Sequence, residues 1–202
     1  MYLAVGNRCA VDFNKLKLSV PLEQALSILE RKGFQKIDVD IIALARSFIG
    51  SAKYRRGARL SEAPEIFDCS SLIKWLYAQK GIWLPRRSIQ QRKAGLSIKP
   101  EDLKGGDAVF TSGLFDYYET DPLDGVGHVG LATGDGTVVH AANSKFGIIE
   151  DPFDEYIKRG FRGTRRIIPD NSQVFTFATP PEQELECSDD FRWIIFEYLH
   201  RM

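Results

Sequence analysis

The hydrophobic period of this chain changes near Pro100, and that change limits the fold more than any other feature. Before it, apolar residues recur at helical spacing. Leu22, Ala25, Leu26 and Leu29 do so within Pro21 to Lys32, with Gly33 placed as a C-cap. Ile41, Ile42, Ala45 and Phe48 do so within Val39 to Ile49. Leu72, Ile73, Leu76 and Tyr77 form the stripe of a third helix over Asp68 to Lys80, which Gly81 stops. A short helix is expected from Pro85 to Gly95. Beyond Pro100 the period falls to two. That predicts strands at Asp107–Thr111, His128–Thr133, Thr137–Ala142 and Gly163–Ile168. Helices first and antiparallel strands second imply an α+β fold. From Pro169 onward the chain reads as an extended tail. It ends in a docking helix over Asp190–Arg201, with Phe191, Ile194, Ile195 and Leu199 as its apolar face.

Bulk properties narrow the partners. A chain of 202 residues suggests one domain with appended ends. Lys plus Arg and Asp plus Glu both number 27, so a formal charge of zero gives no general case for nucleic acid or an anionic membrane. No stretch of about eighteen apolar residues occurs, so no membrane span is expected. The opening residues lack a basic region followed by an apolar core, so they do not read as a secretory signal. The expected location is the cytoplasm, or outside by a route not encoded as an N-terminal signal. Cys9, Cys69 and Cys187 are widely spaced, which argues against a disulfide framework.

Chemistry concentrates around Asp68-Cys69-Ser70-Ser71. Asp68 suits the N-cap of the third helix. Cys69 then falls in the first turn, where the helix dipole and unpaired N–H groups favour a thiolate and can hold an oxyanion. His128 and His140 follow about sixty residues later, on strands joined by Gly134-Asp135-Gly136. A two-residue turn would put them on opposite faces. A three-residue loop pairs Gly130 with His140 and Ala142 with His128, so both rings share a face, roughly 7–8 Å apart at the backbone. The three-residue loop is the expectation, with His128 as general base and His140 holding its other nitrogen. The plainer readings stand beside it. A free cysteine is commonly a small buried hydrophobe, and a strand histidine a satisfied core group. Cys, His and His also form a zinc-type set, although the usual short ligand spacings and a fourth ligand are missing.

Six segments in order carry a wider resemblance: IIALARSFIGSAKY, FDCSSLIKWLY, GIWLPRRSIQQ, LKGGDAVF, GHVGLATGDGTVVHAA and FRGTRRI. Across roughly Val39 to Ile168 the chain resembles the NlpC/p60 cysteine peptidases, papain-like enzymes that cut bacterial cell-wall peptides. The resemblance implies a catalytic domain over 39–168, an N-terminal extension with a helix over 1–38, and a C-terminal tail over 169–202. It implies N-terminal helices packed on a central antiparallel sheet. It also implies a triad of Cys69, His128 and His140, with no cofactor and no metal. The characteristic reaction is hydrolysis of the γ-D-glutamyl bond to a diamino acid in peptidoglycan stem peptides. Tyr54, Asp68, Ser70, Arg86 and Ser88 take substrate-binding positions by the same resemblance. Tyr54 would orient substrate or the oxyanion site, and Arg86 would pair a substrate carboxylate.

Departures from the family pattern also shape the expectation. Ser71 stands where a glycine is usual. Arg55, Arg56, Gly57 and Ala58 replace an aromatic residue and paired glycines. Arg87 stands where some relatives carry an aspartate that reads a peptide amine. Arg55, Arg56, Arg86 and Arg87 together suggest a basic rim for an acidic ligand. The loop from Ser112 to Gly127 is expected to narrow the cleft. Two rival readings keep the same fold: a catalytically silent binding or assembly module, and an acyltransferase or amidase of the superfamily.

Overall fold

The computed structural model describes residues 1–113 and 125–201, so most of the loop expected to narrow the cleft lies outside the described residues. In chain order the elements are β1 (Arg8–Asp12), α1 (Phe13–Leu16), α2 (Leu22–Arg31), β2 (Gln35–Ile37), α3 (Ile41–Ser47), β3 (Lys53–Tyr54), β4 (Ile66–Phe67), α4 (Cys69–Gln79), α5 (Ser88–Gln91), β5 (Leu96–Ile98), β6 (Ala108–Ser112), β7 (Val126–Ala132), β8 (Thr137–Asn143), β9 (Gly147–Pro152), α6 (Phe153–Ile157), β10 (Phe161–Arg166), β11 (Val174–Ala178) and α7 (Asp190–His200). The fold class is α+β, as expected. The chain divides into two compact units, one of Met1–Val39, Tyr77–Trp83 and Asp170 onward, the other of Asp40–Leu76 and Leu84–Pro169.

The first unit gathers both ends of the chain on one antiparallel sheet of order β1-β11-β2. Amphipathic spacing along α2 buries Ala25, Ile28 and Leu29. They join Val11, Phe13, Phe34, Phe177, Phe191 and Ile195 in one core. Phe191 of α7 stands 5.4 Å from both Phe34 and Phe177, ring centre to ring centre, so the last helix is held by aromatic contact. The segment after Pro169 therefore supplies a central strand as well as the expected helix. Gly81 has a φ of +67°, and a Cβ there would lie 2.6 Å from the Cys9 backbone carbon. Only glycine fits that approach, in which the Ala10 N–H donates to the Gly81 carbonyl at 2.9 Å.

The second unit carries the expected central sheet. Its six strands run in the order β5-β10-β6-β7-β8-β9, all antiparallel. The four expected strands are β6, β7, β8 and β10, while β5 and β9 extend the sheet at its two edges. Asp40 caps α3 by accepting from the Ile42 and Ala43 N–H groups at 2.9 and 3.0 Å. Leu72, Ile73 and Leu76 on α4 are fully buried. The expected helix from Pro85 to Gly95 shortens to the four residues of α5. Asp107 and Arg166 form a two-point ion pair, Nε to Oδ1 at 3.0 Å and Nη2 to Oδ2 at 2.8 Å, that ties the start of β6 to the end of β10.

Candidate active site

Cys69 is the first residue of α4, and its position follows from the four residues around it. Asp68 caps the helix, its Oδ1 accepting the Ser71 N–H at 2.7 Å. The Ser71 hydroxyl answers by accepting the Asp68 N–H at 2.8 Å. These two bonds form a reciprocal capping box, which gives the unusual Ser71 a structural reason that glycine could not supply. The backbone groups of Val129 and Ser70 come close enough to the Cys69 sulfur to favour its charged form. Val129 follows His128 on β7, so the sulfur lies close to the strand that carries the first histidine.

The two histidines meet as the three-residue loop requires. Leu131 pairs with Val139 and Ala132 with Val138, a register that sets Gly130 opposite His140. His128 Nε2 and His140 Nδ1 are 2.9 Å apart, with the ring planes at 89°. A Cβ on Gly130 would overlap Val138 Cγ1 and come to 3.1 Å from His140 Cβ and Tyr156 Oη, so the bare glycine makes room for the pair. Tyr156 is fully buried beside the two rings. Its hydroxyl donates to the Val109 carbonyl at 3.1 Å, and its ring centre lies 4.9 Å from that of His140.

Behind His140 stands Asp151. Its Oδ2 is 3.0 Å from His140 Nε2 and 3.2 Å from Arg159 Nη2. The sequence reading missed Asp151, Arg159 and Tyr156. The signal for Asp151 was the β8–β9 hairpin: His140 pairs with Ile149, and Asp151 lies two residues farther along the same face.

Burial sets the protonation of the site. It drives the His128 pKa well below its ordinary value, with His140 and Arg159 adding to the effect. Burial also takes His140 down to about 4, against the opposing pull of Asp151. The Cys69 thiol is pushed up to about 11, by burial first and by the Asp68 charge second. The backbone N–H groups and Arg86 pull the other way without offsetting this. Burial thus works against the expected thiolate at Cys69 and against protonation of the two imidazoles.

The sequence matches the NlpC/P60 family over residues 51–166, more than half of the chain. The chain belongs to the NlpC/P60 family. Among curated relatives of this NlpC/P60 protein, the γ-DL-glutamyl hydrolase of Bacillus subtilis is 32% identical over 147 residues, covering 70% of this chain and 33% of the hydrolase. A probable endopeptidase of Corynebacterium glutamicum is 39% identical over 114 residues, 56% of this chain and 47% of that one. The chain thus spans a third to about half of the length of these relatives. Among solved structures, an NlpC/P60 family protein from Bacillus cereus has a TM-score of 0.54 at 27% identity, over 64% of this chain and 40% of that one. The peptidoglycan hydrolase RipB of Mycobacterium tuberculosis has a TM-score of 0.50 at 27% identity, over 74% and 69%.

The remaining expected NlpC/P60 positions differ in their surroundings. Tyr54 is half-buried on β3, and its phenol pKa is raised by burial first, then by the Cys69 and Asp68 charges. Arg86 was expected to hold a substrate carboxylate. In the structure its Nη1 donates to Asp68 Oδ1 at 3.0 Å and to Ser70 Oγ at 2.9 Å. Its Nη2 donates to the Ala58 carbonyl at 2.6 Å and to Asp68 Oδ2. The guanidinium thus serves as the counter-charge of the Asp68 cap, while the Arg86 side chain stays 35% exposed. Asp68 and Ser70 are buried in the same cluster. Ser88 is buried at the start of α5, and Gln91 on the next turn donates from Nε2 to the Ser70 carbonyl at 2.9 Å. The basic rim shrinks as well, since Arg55 pairs with Glu62 and Arg86 with Asp68. Arg56 and Arg87 are exposed. Among the described residues no group of three His, Cys, Asp or Glu is placed to hold a metal ion, and no helix is long and apolar enough to cross a membrane.

Proposed function

We propose that this chain is a thiol hydrolase in which Cys69 attacks an amide carbonyl, His128 moves the proton and His140 holds His128. The observation that carries the reading is the 2.9 Å bond between His128 Nε2 and His140 Nδ1, together with a sulfur that lies close to the strand of His128. That bond leaves His128 Nδ1 to act as the base. It takes the thiol proton as the sulfur–carbon bond forms. The carbon–nitrogen bond then breaks, and the same proton passes to the leaving amine. Water hydrolyses the thioester, with His128 first accepting and then returning a proton to the sulfur. First-turn N–H groups of α4 and the Tyr54 hydroxyl are the donors we assign to the oxyanion.

The substrate we propose is a peptidoglycan-derived peptide, cut at the γ-D-glutamyl bond to a diamino acid. Support comes from the names of the relatives, a γ-DL-glutamyl hydrolase and a peptidoglycan DL-endopeptidase of Bacillus licheniformis. Exposed Arg56 and Arg87 suit an acidic ligand. Incubation with defined muropeptides, followed by mass spectrometry, tests this. Cleavage at that bond is expected from the wild-type chain and none from Cys69→Ala. Equal turnover by the two proteins would remove Cys69 from the reaction.

A further inference from the structure

We infer that Asp151 is a positioning residue which, through His140, fixes the nitrogen of His128 that is free to accept a proton. Its kinetic consequence rests on the proposed thiol chemistry; its structural consequence does not.

The argument is one of donor and acceptor counting. A neutral imidazole has one N–H and one bare nitrogen. A carboxylate only accepts, so the 3.0 Å contact with Asp151 puts the His140 proton on Nε2. His140 Nδ1 is then bare and must accept across the 2.9 Å contact, so His128 carries its proton on Nε2. The lone pair of His128 is left on Nδ1. One carboxylate thus sets the tautomer of two rings in series.

Arg159 makes this setting conditional. Its Nη1 lies 3.3 Å from His140 Nε2. A guanidinium only donates, so this contact and the Asp151 contact are mutually exclusive as hydrogen bonds. The carboxylate is nearer, and it also accepts from Arg159 Nη2 at 3.2 Å. Without Asp151, Arg159 would donate to His140 Nε2. His140 would then carry its proton on Nδ1 and donate it to His128 Nε2. His128 would hold its own proton on Nδ1, where the base is needed. Asp151 therefore both selects the working tautomer and occupies the cation that would select the other.

The chain has only three histidines, so its imidazole nitrogens can be assigned by ¹⁵N NMR of the full protein. The wild type is expected to show His128 and His140 both protonated on Nε2 at neutral pH. Asp151→Ala should move both protons to Nδ1. Its kcat on the muropeptide should fall by about 100-fold with KM little changed, as expected when a base is held in the wrong tautomer. Adding Arg159→Met to Asp151→Ala should recover about tenfold of that loss, because the competing donor is gone; a purely structural role for the ion pair would give no recovery. Asp151→Asn keeps the side-chain shape and serves if the alanine variant does not fold; a mixture of tautomers and an intermediate kcat are expected. Unchanged tautomers in Asp151→Ala or Asp151→Asn would overturn the inference. The nitrogen spectra need no substrate, so they fail or succeed separately from the hydrolase reading, which the Cys69→Ala comparison tests.

Discussion

Arg86 holds the Asp68 carboxylate with both terminal nitrogens, and the same carboxylate caps the helix that begins at Cys69. Position of the sulfur is therefore linked to the ion pair beside it. Asp68→Ala removes the cap and leaves Arg86 without its counter-charge. It should destabilise the protein by about 2–4 kcal/mol. Urea unfolding would measure this, and a change below 0.5 kcal/mol would contradict the assigned role.

The buried histidines make stability depend on pH. Their folded pKa values lie below the unfolded value near 6.5, about 4 for His140 and in the same direction for His128. The unfolded chain then binds more protons than the folded one between those values. Stability is complete above pH 6.5 and falls as the pH drops toward 4. His140 alone contributes a loss on the order of 3 kcal/mol over that window. Chemical unfolding across pH 4–7 should show the slope in the wild type and a shallower one in His140→Gln.

Alkylation of Cys69 should report a thiol, not a thiolate. With the thiol pushed up to about 11, labelling by iodoacetamide should rise about tenfold per pH unit between pH 7 and 9. Peptide mass spectrometry resolves Cys69 from Cys9 and Cys187. A rate that is flat from pH 6 to 9 would mean a resting ion pair with His128 instead.

Gly130 is a contact point, not a turn. Its substitution by alanine forces a methyl against Val138, His140 and Tyr156. The expected cost is about 1–3 kcal/mol of stability, with a larger fractional loss of activity because His140 must shift. Both are measured on one purified variant, by denaturation and by muropeptide turnover.

Local rules in the sequence reached far into this structure, and their range marks where they stopped. The Asp68 cap, the α4 stripe and the loop at 134–136 each rest on residues within a few positions, so they could be read directly. The loop alone fixed the register that joins His128 to His140. Asp151 escaped because β9 was not assigned, and without that strand its face could not be known. Arg86 was given to a substrate because nothing in the sequence says that the Asp68 carboxylate lies beside it, 18 residues away. β1 and β11 escaped for the same reason on a larger scale. Each is only five residues long, and their pairing partners are far apart in the chain.

That distant pairing also bears on synthesis. Asp12 meets Val174 in the sheet of the first unit. A ribosome adding roughly 5–20 residues per second needs about 10–30 seconds to supply the second after the first. Throughout that interval the nascent β1 exposes an unsatisfied edge, and β2 waits on the same late strand. The polypeptide has all of β7, β8 and β9 in hand, and so its histidine hairpin, about 1–4 seconds before Val174 arrives to close the sheet of β1 and β2.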